Sequence, residues 1–256
     1  FVLGGHEHEG LSRVTEAPWI LKSPSDARRA FVLTFTPGPK GAADLQDLPL
    51  GSDTAEAADV RRIADDWRAR MLANKGIDPE LWSKVLWEDV PVAIEGEETA
   101  LRRRETTLAN LFADGVGLAV PGEHVVLLNT GSLRLGRDLP EGTDITAGHL
   151  IETDLFQAPV VKVPGVTRAE LQAIATAAFK EFPGSGRFPG ASSNLAIAWT
   201  GSEAHVTIDP DGDTVTLLTT EFMCRHPKGG LENPPLRAAC DARKDQIEAV
   251  GTLRDL

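Results

Sequence analysis

The sequence is poor in the features that define several protein classes. Its only two cysteines, Cys224 and Cys240, are too few for a disulfide scaffold or a four-thiolate zinc site. They can form one bridge or stay free, and the sequence leaves both states open. No apolar run approaches the roughly 18 residues that cross a bilayer, so we expect no membrane span. A nucleophile elbow, a P-loop and a dinucleotide fingerprint are also missing from the sequence.

Basic residues are scarce relative to acidic ones. Lys and Arg number 26 against 38 Asp and Glu, which gives a net charge of −12 over 256 residues. An acidic chain repels polyphosphate backbones, and this argues against a nucleic-acid polymer as partner. A small anion remains compatible with the charge, because a few clustered arginines can hold it locally. Hydrophobic residues make up 41% of the chain, which is typical of a globular protein.

The apolar pattern alternates between strand and helix periods. Strands are predicted at residues 1–3, 19–21, 31–35, 85–94, 125–128, 195–199, 206–208 and 215–218, and helices at 53–75, 106–120 and from 167 to about 182. Residues 37–51, rich in Pro and Gly, are predicted to be an irregular connection. The mixture predicts an α+β fold. Because the chain opens inside a strand and without methionine, we expect the natural protein to extend upstream.

A histidine pair near the start of the chain is the first group that could carry chemistry. His6 and His8 are two residues apart in predicted extended backbone, so their imidazoles point the same way and could meet a metal ion. Two ligands are too few on their own, because metal sites need four to six. A chance His-x-His pair without metal is the alternative.

Three further groups could bind a ligand. Arg102-Arg103-Arg104 precedes a predicted helix and could form an anion trap, or could be a solvated stretch balanced by nearby glutamates. The loop from Asn129 to Arg134 follows a buried strand, and its Gly131 would let backbone approach a ligand; a simple β-turn is the alternative. Two loop aromatics could sandwich a flat base or belong to the core, namely Phe156 and Phe222.

Taken in order along the chain, these segments resemble the 5'-nucleotidase family, which consists of calcineurin-like metallophosphoesterases with a 5'-nucleotidase C-terminal domain. Gly-Gly-His-Glu-His at residues 4–8 resembles the last metal motif, G-H-x-H. The segments that resemble the C-terminal domain are residues 102–114, 129–134, 146–156, 186–192 and 221–230. Residues 102–111 are similar to the R-x-R-E-[TC]-x-[LM]-G-N-L signature, and residues 129–134 to N-x-G-x-[IL]-R.

The resemblance implies a domain organisation and a division of labour. Residues 1–50 would be the end of the metallophosphoesterase domain, 51–84 a linker helix region, and 85–256 a mixed α/β substrate-binding domain. The longer protein would hydrolyse phosphate esters of nucleotides with two divalent metal ions, such as Zn or Mn. The upstream catalytic domain would be the partner of this chain. The chain itself would hold no catalytic residue and be inactive alone. Exported relatives favour an extracytoplasmic location.

The resemblance also implies roles for single residues. His6 and His8 would be metal ligands. The substrate, a nucleotide or another small phosphate ester, would be bound by Arg102, Asn129, Gly131, Arg134, Phe156 and Phe222. The sequence departs from the family pattern at Ala109, Leu155 and Glu221. Leu231 also replaces the aspartate that the family has near the ribose, which puts ribose recognition in doubt. A non-catalytic nucleotide- or anion-binding module is the alternative function, and a structural or interaction domain is a third.

Overall fold

The chain forms two compact units, Phe1–Lys75 and Gly76–Leu256. The structure is a computed structural model that describes residues 1–5, 10–25, 27–38, 43–51, 53–181, 184, 186–200, 203–209, 212–225 and 233–253. His6 and His8 lie outside these described residues, so their role as metal ligands stays a prediction. The domain limits expected from the sequence, 1–50, 51–84 and 85–256, also stay a prediction.

The first unit contains five strands and one helix among its described residues. These elements are β1 (Val2–Gly4), β2 (Leu11–Arg13), β3 (Ile20–Lys22), β4 (Arg29–Phe35), β5 (Ala43–Pro49) and α1 (Ala58–Lys75). Strands β1, β3 and β2 form one sheet in that order, with β1 parallel and β2 antiparallel to β3. Strands β4 and β5 pair as an antiparallel hairpin.

Two predictions for the first unit are wrong. The segment predicted as an irregular connection contains β5, which pairs with β4 from Ala43 to Pro49. Most of its side chains are exposed, so backbone pairing forms this strand without an apolar pattern that a sequence could reveal. Helix α1 begins at Ala58 and not at Asp53, because Gly51 and Thr54 form a turn closed by hydrogen bonds in both directions.

The apolar stripe of α1 is exposed within this unit. Val60, Ile63 and Trp67 have 60%, 49% and 63% of their surface exposed, and Leu72 is the buried residue of the helix. The side chain of Trp67 carries the guanidinium of Arg70 at 5.0 Å from the ring centroid. The part of α1 that contains Val60, Ile63 and Trp67 therefore resembles a solvated amphipathic helix within the first unit.

The second unit is a mixed α/β domain. Its elements are α2 (Pro79–Ser83), β6 (Val85–Trp87), α3 (Glu98–Leu101), α4 (Thr107–Ala119), β7 (Val125–Asn129), a 3₁₀ helix (Thr130–Ser132), β8 (Ile145–Thr146), α5 (Ala147–Thr153), β9 (Pro159–Thr167), α6 (Arg168–Glu181), β10 (Pro189–Ala191), β11 (Leu195–Thr200), β12 (Glu203–Ile208), β13 (Thr214–Thr220), α7 (Glu221–Arg225), α8 (Pro234–Ala242) and β14 (Glu248–Thr252). The predicted α+β fold is confirmed.

A five-stranded sheet is the centre of this unit. Its order is β10-β7-β13-β9-β14, in which β7 and β13 run parallel and the other neighbours run antiparallel. Every residue of β7 is buried, since both faces of the sheet are covered. Helix α4 packs on one face through Leu108, Phe112 and Val116. Helices α6 and α8 pack on the other face, where Ile174 and Leu236 are buried.

Local signals explain where the long helices begin. The Thr106 hydroxyl accepts a hydrogen bond from the Ala109 amide and caps α4, within one residue of the predicted start. The predicted capping box at the start of α6 is also present. The Thr167 amide donates to Glu170 at 2.8 Å, and the Glu170 amide donates to the Thr167 hydroxyl at 3.2 Å.

The predicted strand over residues 85–94 is shorter in the structure. It ends at Trp87, and Ile94 makes only an isolated bridge to Leu139. Asp89 adopts a positive φ of 47°, which belongs to a turn, and Pro91 lacks the amide that a ladder needs. These two positions break the strand despite its apolar composition.

The two cysteines are bridged. Cys224 in α7 is joined to Cys240 in α8, with Cα atoms 5.7 Å apart. The bridge attaches the short helix that carries Phe222 to the longer helix under the sheet.

Candidate functional site

At one end of the central sheet, the loops of four of its five strands come together. The parallel strands β7 and β13 finish there, at Asn129 and Thr220. Strands β9 and β10 run the opposite way and begin at the same end, at Pro159 and Pro189. The loops that leave or enter these strands therefore meet at one edge, although they are far apart in sequence.

These loops enclose a cavity of about 460 Å³. It is lined by Asn129, Gly131, Ser132, Arg134, Phe156, Ala158, Pro159, Gly186, Arg187 and Phe222. Its volume falls in the range of small-molecule sites, roughly 300–1,000 Å³. Five of the six residues predicted to bind substrate line this one cavity, and Arg102 does not.

Three backbone hydrogen bonds hold the loop that follows β7 at the cavity. After β7, residues Thr130–Ser132 form a single 3₁₀ turn, in which the Leu133 amide donates to the Thr130 carbonyl at 3.0 Å. The amide of Gly131 donates to the carbonyl of Gly186 at 2.7 Å, which attaches this turn to the segment before β10. The Arg134 amide donates to the Thr153 carbonyl at 2.8 Å and directs the chain toward the Phe156 loop.

Arg134 connects the cavity to a buried carboxylate. Its Nη1 atom donates to Glu98 Oε1 at 3.0 Å, and its guanidinium carbon lies 5.3 Å from the centroid of the Phe156 ring. Glu98 is only 9% exposed. Phe156 is 62% exposed, so its ring is available to a ligand as well as to Arg134. A charged planar group and an aromatic ring therefore lie side by side on the cavity wall.

Arg102 lies behind this wall and does not line the cavity. It caps the end of α3 and donates from Nη2 to the same oxygen of Glu98 that Arg134 contacts. The side chains of Arg102 and Arg134 are 19% and 28% exposed, so the two guanidinium groups share one mostly buried carboxylate. Arg102 and Arg134 therefore share one carboxylate beside the cavity.

Another arginine of the predicted anion trap, Arg104, has a local partner. Arg104 donates to Glu95 at 2.6 Å, and this hydrogen bond lowers the pKa of the half-buried Glu95 carboxyl. The alternative interpretation, a basic stretch balanced by nearby glutamates, therefore describes Arg104. No carboxylate lines the cavity among the residues that the structure describes, whereas Arg134 and Arg187 both do.

Asn129 is held through both its backbone and its side chain. Its backbone carbonyl accepts a hydrogen bond from the Ser132 hydroxyl at 2.7 Å. Its side-chain oxygen accepts a hydrogen bond from the hydroxyl of Thr220 at 2.8 Å. Asn129 is 9% exposed and Thr220 is fully buried, so this side chain is fixed where it meets the cavity.

Sequence reasoning missed half of the lining residues. Ser132, Gly186 and Arg187 lie inside motifs that carry the family resemblance, so the motifs contain a signal for these three. Ala158 and Pro159 line the cavity only because β9 begins beside the end of β13. That neighbourhood depends on strand register, which no local pattern in the sequence reveals.

Metal-binding clusters and membrane-spanning helices are both absent from the residues that the structure describes. The described residues contain no group of three or more His, Cys, Asp or Glu side chains arranged to hold a metal ion. Within the same part of the chain, no helix combines the length and the apolar character that crossing a bilayer requires.

Comparisons with known proteins agree with the geometry at the level of the fold. The sequence matches no protein-family profile and no curated protein. The structure is similar to a 5'-nucleotidase precursor from Thermus thermophilus, with a TM-score of 0.65 and 20% identity over 99% of this chain and 56% of that one. It is also similar to a 5'-nucleotidase from Candida albicans, with a TM-score of 0.58 and 12% identity over 98% of this chain and 56% of that one.

A third similar structure carries a different activity in its name. The sulfate thiohydrolase SoxB from Thermus thermophilus has a TM-score of 0.56 and 16% identity over 85% of this chain and 42% of that one. The chain therefore spans at most a little over half of each of these three proteins. At these identities the likeness establishes the fold alone. The chain has the fold that these 5'-nucleotidase structures share over that part of their length, as its motifs predicted.

Proposed function

We propose that the cavity binds a nucleotide or another small phosphate ester. The observation that carries this proposal is that two aromatic rings and two guanidinium groups line one cavity of about 460 Å³. A flat base can stack on Phe156 and Phe222, and each stacked base contributes about 1–3 kcal/mol. Arg134 and Arg187 supply charged, planar donors that suit phosphate oxygens. These two arginines let a chain of net charge −12 attract an anion locally.

The remaining lining residues support the same ligand. Asn129 offers a fixed side-chain amide, and Gly131 lets the backbone approach the ligand without a side chain. Arg102 contributes through Glu98, because both arginines share this carboxylate. Its role is therefore to set the charge and position of Arg134, and direct contact with the ligand is not needed.

We propose that the longer protein hydrolyses phosphate esters of nucleotides and that this chain supplies the substrate-binding half. Two divalent metal ions would activate the attacking water, and His6 and His8 would provide the last of their ligands. The chain would hold no catalytic residue. The fold of the two 5'-nucleotidase structures supports this assignment, and SoxB indicates that the same fold also serves a sulfur substrate.

Two measurements test the proposal. Calorimetry of the 256-residue chain with AMP should give saturable binding, and inorganic phosphate should bind much more weakly because it cannot stack. Phosphate release from AMP with Mn²⁺ should be absent for the chain alone and appear when upstream sequence is restored. Absence of AMP binding would contradict the nucleotide assignment, and robust turnover by the chain alone would contradict the division of labour.

A non-catalytic binding module is the second candidate function. It is favoured by one observation: the whole cavity is built from the second unit, so binding does not require the histidine pair. The two candidates differ in their response to metal. With upstream sequence supplied, a pure binder should bind AMP equally with and without Mn²⁺ and release no phosphate, whereas the hydrolase should turn AMP over only with the metal.

The Cys224–Cys240 bridge supports an extracytoplasmic location for this protein. Structural disulfides persist in oxidising compartments and are rare in the cytosol of most organisms. Alkylation of the protein isolated from its natural host, without reductant, tests this. Both thiols should be protected, and two alkylated thiols would contradict the proposal.

A further inference from the structure

Thr220 lies at the junction of β13 and α7 and contacts Asn129, a residue that lines the cavity. It is the last residue of β13 and directly precedes α7, the helix of Phe222. It is fully buried. Its hydroxyl accepts a hydrogen bond from the Met223 amide at 3.4 Å, as a residue that caps a helix does. The same hydroxyl donates to Asn129 Oδ1 at 2.8 Å.

These two hydrogen bonds fix the orientation of the Asn129 amide. Because the Thr220 oxygen already accepts from Met223, its single proton is directed to an acceptor, and Oδ1 of Asn129 is that acceptor. Rotating the amide by half a turn would place its NH₂ group on the hydroxyl. The hydroxyl proton would then be buried without an acceptor among the residues that the structure describes, which is unfavourable.

We propose that Thr220 is a positioning residue that presents the Asn129 NH₂ group to the cavity, so that the site recognises a hydrogen-bond acceptor on the edge of the stacked base. A ring nitrogen of a purine is such an acceptor. This inference rests on the proposed function, because it assigns a specificity to the same cavity. The aromatic rings stack on any base, whereas a fixed donor at the base edge distinguishes between bases.

The neighbouring residue provides a matched control. Thr219 is also fully buried, but its hydroxyl has no hydrogen-bond partner in the part of the chain that the structure describes. Alternation along β13 places Thr219 and Thr220 on opposite faces of the sheet. Thr219→Val therefore changes the same chemical group in the same strand and leaves Asn129 untouched.

The experiment compares AMP with its 1-deaza, 3-deaza and 7-deaza analogues, in each of which one ring nitrogen is replaced by CH. Calorimetry should show that at least one analogue binds more weakly than AMP, by about 2-fold to 12-fold for one hydrogen bond. In Thr220→Val this difference should disappear. Thr220→Ser should retain it, because serine keeps the hydroxyl, and Thr219→Val should retain it as well.

The analogue comparison distinguishes a changed orientation of the Asn129 amide from the loss of the cap at the start of α7. If Thr220→Val only displaced Phe222, AMP and all analogues would weaken together and the discrimination would survive, which would overturn the proposal. Equal binding of all four ligands to the unaltered chain would also overturn it. Absence of AMP binding to the unaltered chain would instead mean that the proposed function has failed, and this inference with it. Thermal unfolding of each variant shows whether it is folded.

Discussion

Gly131 and Gly186 approach each other so closely that neither has room for a side chain. A Cβ atom on Gly131 would lie 2.5 Å from the carbonyl oxygen of Gly186, which is the oxygen that accepts the Gly131 amide. A Cβ atom on Gly186 would lie 3.0 Å from the Cα atom of Gly131. The neighbouring atoms are backbone, so they cannot move aside as a flexible side chain would. The wall of the cavity therefore depends on two glycines.

Gly131→Ala should destabilise the protein and disturb the cavity. The added methyl group must push the two segments apart, which costs about 1–3 kcal/mol in the free energy of unfolding. Gly115→Ala is the control, because Gly115 lies on the exposed face of α4 with no atom within 4 Å of a Cβ. It should stabilise the helix by up to about 1 kcal/mol. Urea unfolding measures both, and equal effects would contradict the close-approach argument.

Phe156→Ala should weaken AMP binding with little change in stability. The ring lines the cavity and is 62% exposed, so it contributes little to the core, and loss of one stacking surface costs about 1–3 kcal/mol of binding. Leu155→Ala is the matched control, because its side chain is 52% exposed and does not line the cavity. Calorimetry and thermal unfolding of both variants test this. Unchanged AMP affinity in Phe156→Ala would contradict the role of the ring.

Parts of the fold could be predicted because their signals are local. The Thr106 cap, the Thr167–Glu170 capping box and the continuous apolar run of β7 each depend on a few adjacent residues. Strand β5 could not be predicted, because pairing with β4 forms it while most of its side chains stay exposed. The start of α1 was mispredicted, since the Gly51–Thr54 turn competes with a helix there.

In the candidate site, too, local motifs could indicate some residues, whereas tertiary packing determines the position of others. Asn129, Gly131, Arg134, Phe156 and Phe222 line one cavity, whereas their roles as ligands stay a prediction. Family motifs could indicate these residues because each motif is short and local. The position of Arg102 behind the wall depends on which residues share a buried carboxylate. Tertiary packing determines which arginines contact Glu98, so the run of three arginines could not reveal this position.

Reduction of the Cys224–Cys240 disulfide should lower the stability of the protein. Cys224 and Cys240 are 16 residues apart, and a closed loop of about this length restricts the unfolded chain by about 3 kcal/mol. Urea unfolding with and without reductant measures the difference. The double variant Cys224→Ser/Cys240→Ser should already have the lower stability and should not respond to reductant. A reductant effect in the double variant would show that the thiols are not its cause.

The Glu170–Arg243 pair should make stability depend on pH in the acid range. Arg243 donates to Glu170 at 2.7 and 3.0 Å and also binds the Gly165 carbonyl, so it joins α6, α8 and the end of β9. The hydrogen bond from Arg243 is the main cause that lowers the pKa of Glu170 to about 2, assisted by the amide and hydroxyl of Thr167. The carboxylate is therefore more stable in the folded than in the unfolded chain.

Because the folded pKa lies below the unfolded value, the contribution of Glu170 is complete above about pH 4.5 and is lost as the pH falls toward about 2. The Glu170 side chain is 35% exposed, and solvent screening reduces its contribution to about 1–2 kcal/mol. Glu170→Gln should therefore lose stability at pH 7 and lose less at about pH 3, measured by urea unfolding. Glu221→Gln is the control, because among the residues that the structure describes Glu221 pairs with Arg225 at the exposed surface, and its replacement should change stability by less than about 0.5 kcal/mol. An equal loss for Glu170→Gln at both pH values would contradict the assigned ionic interaction.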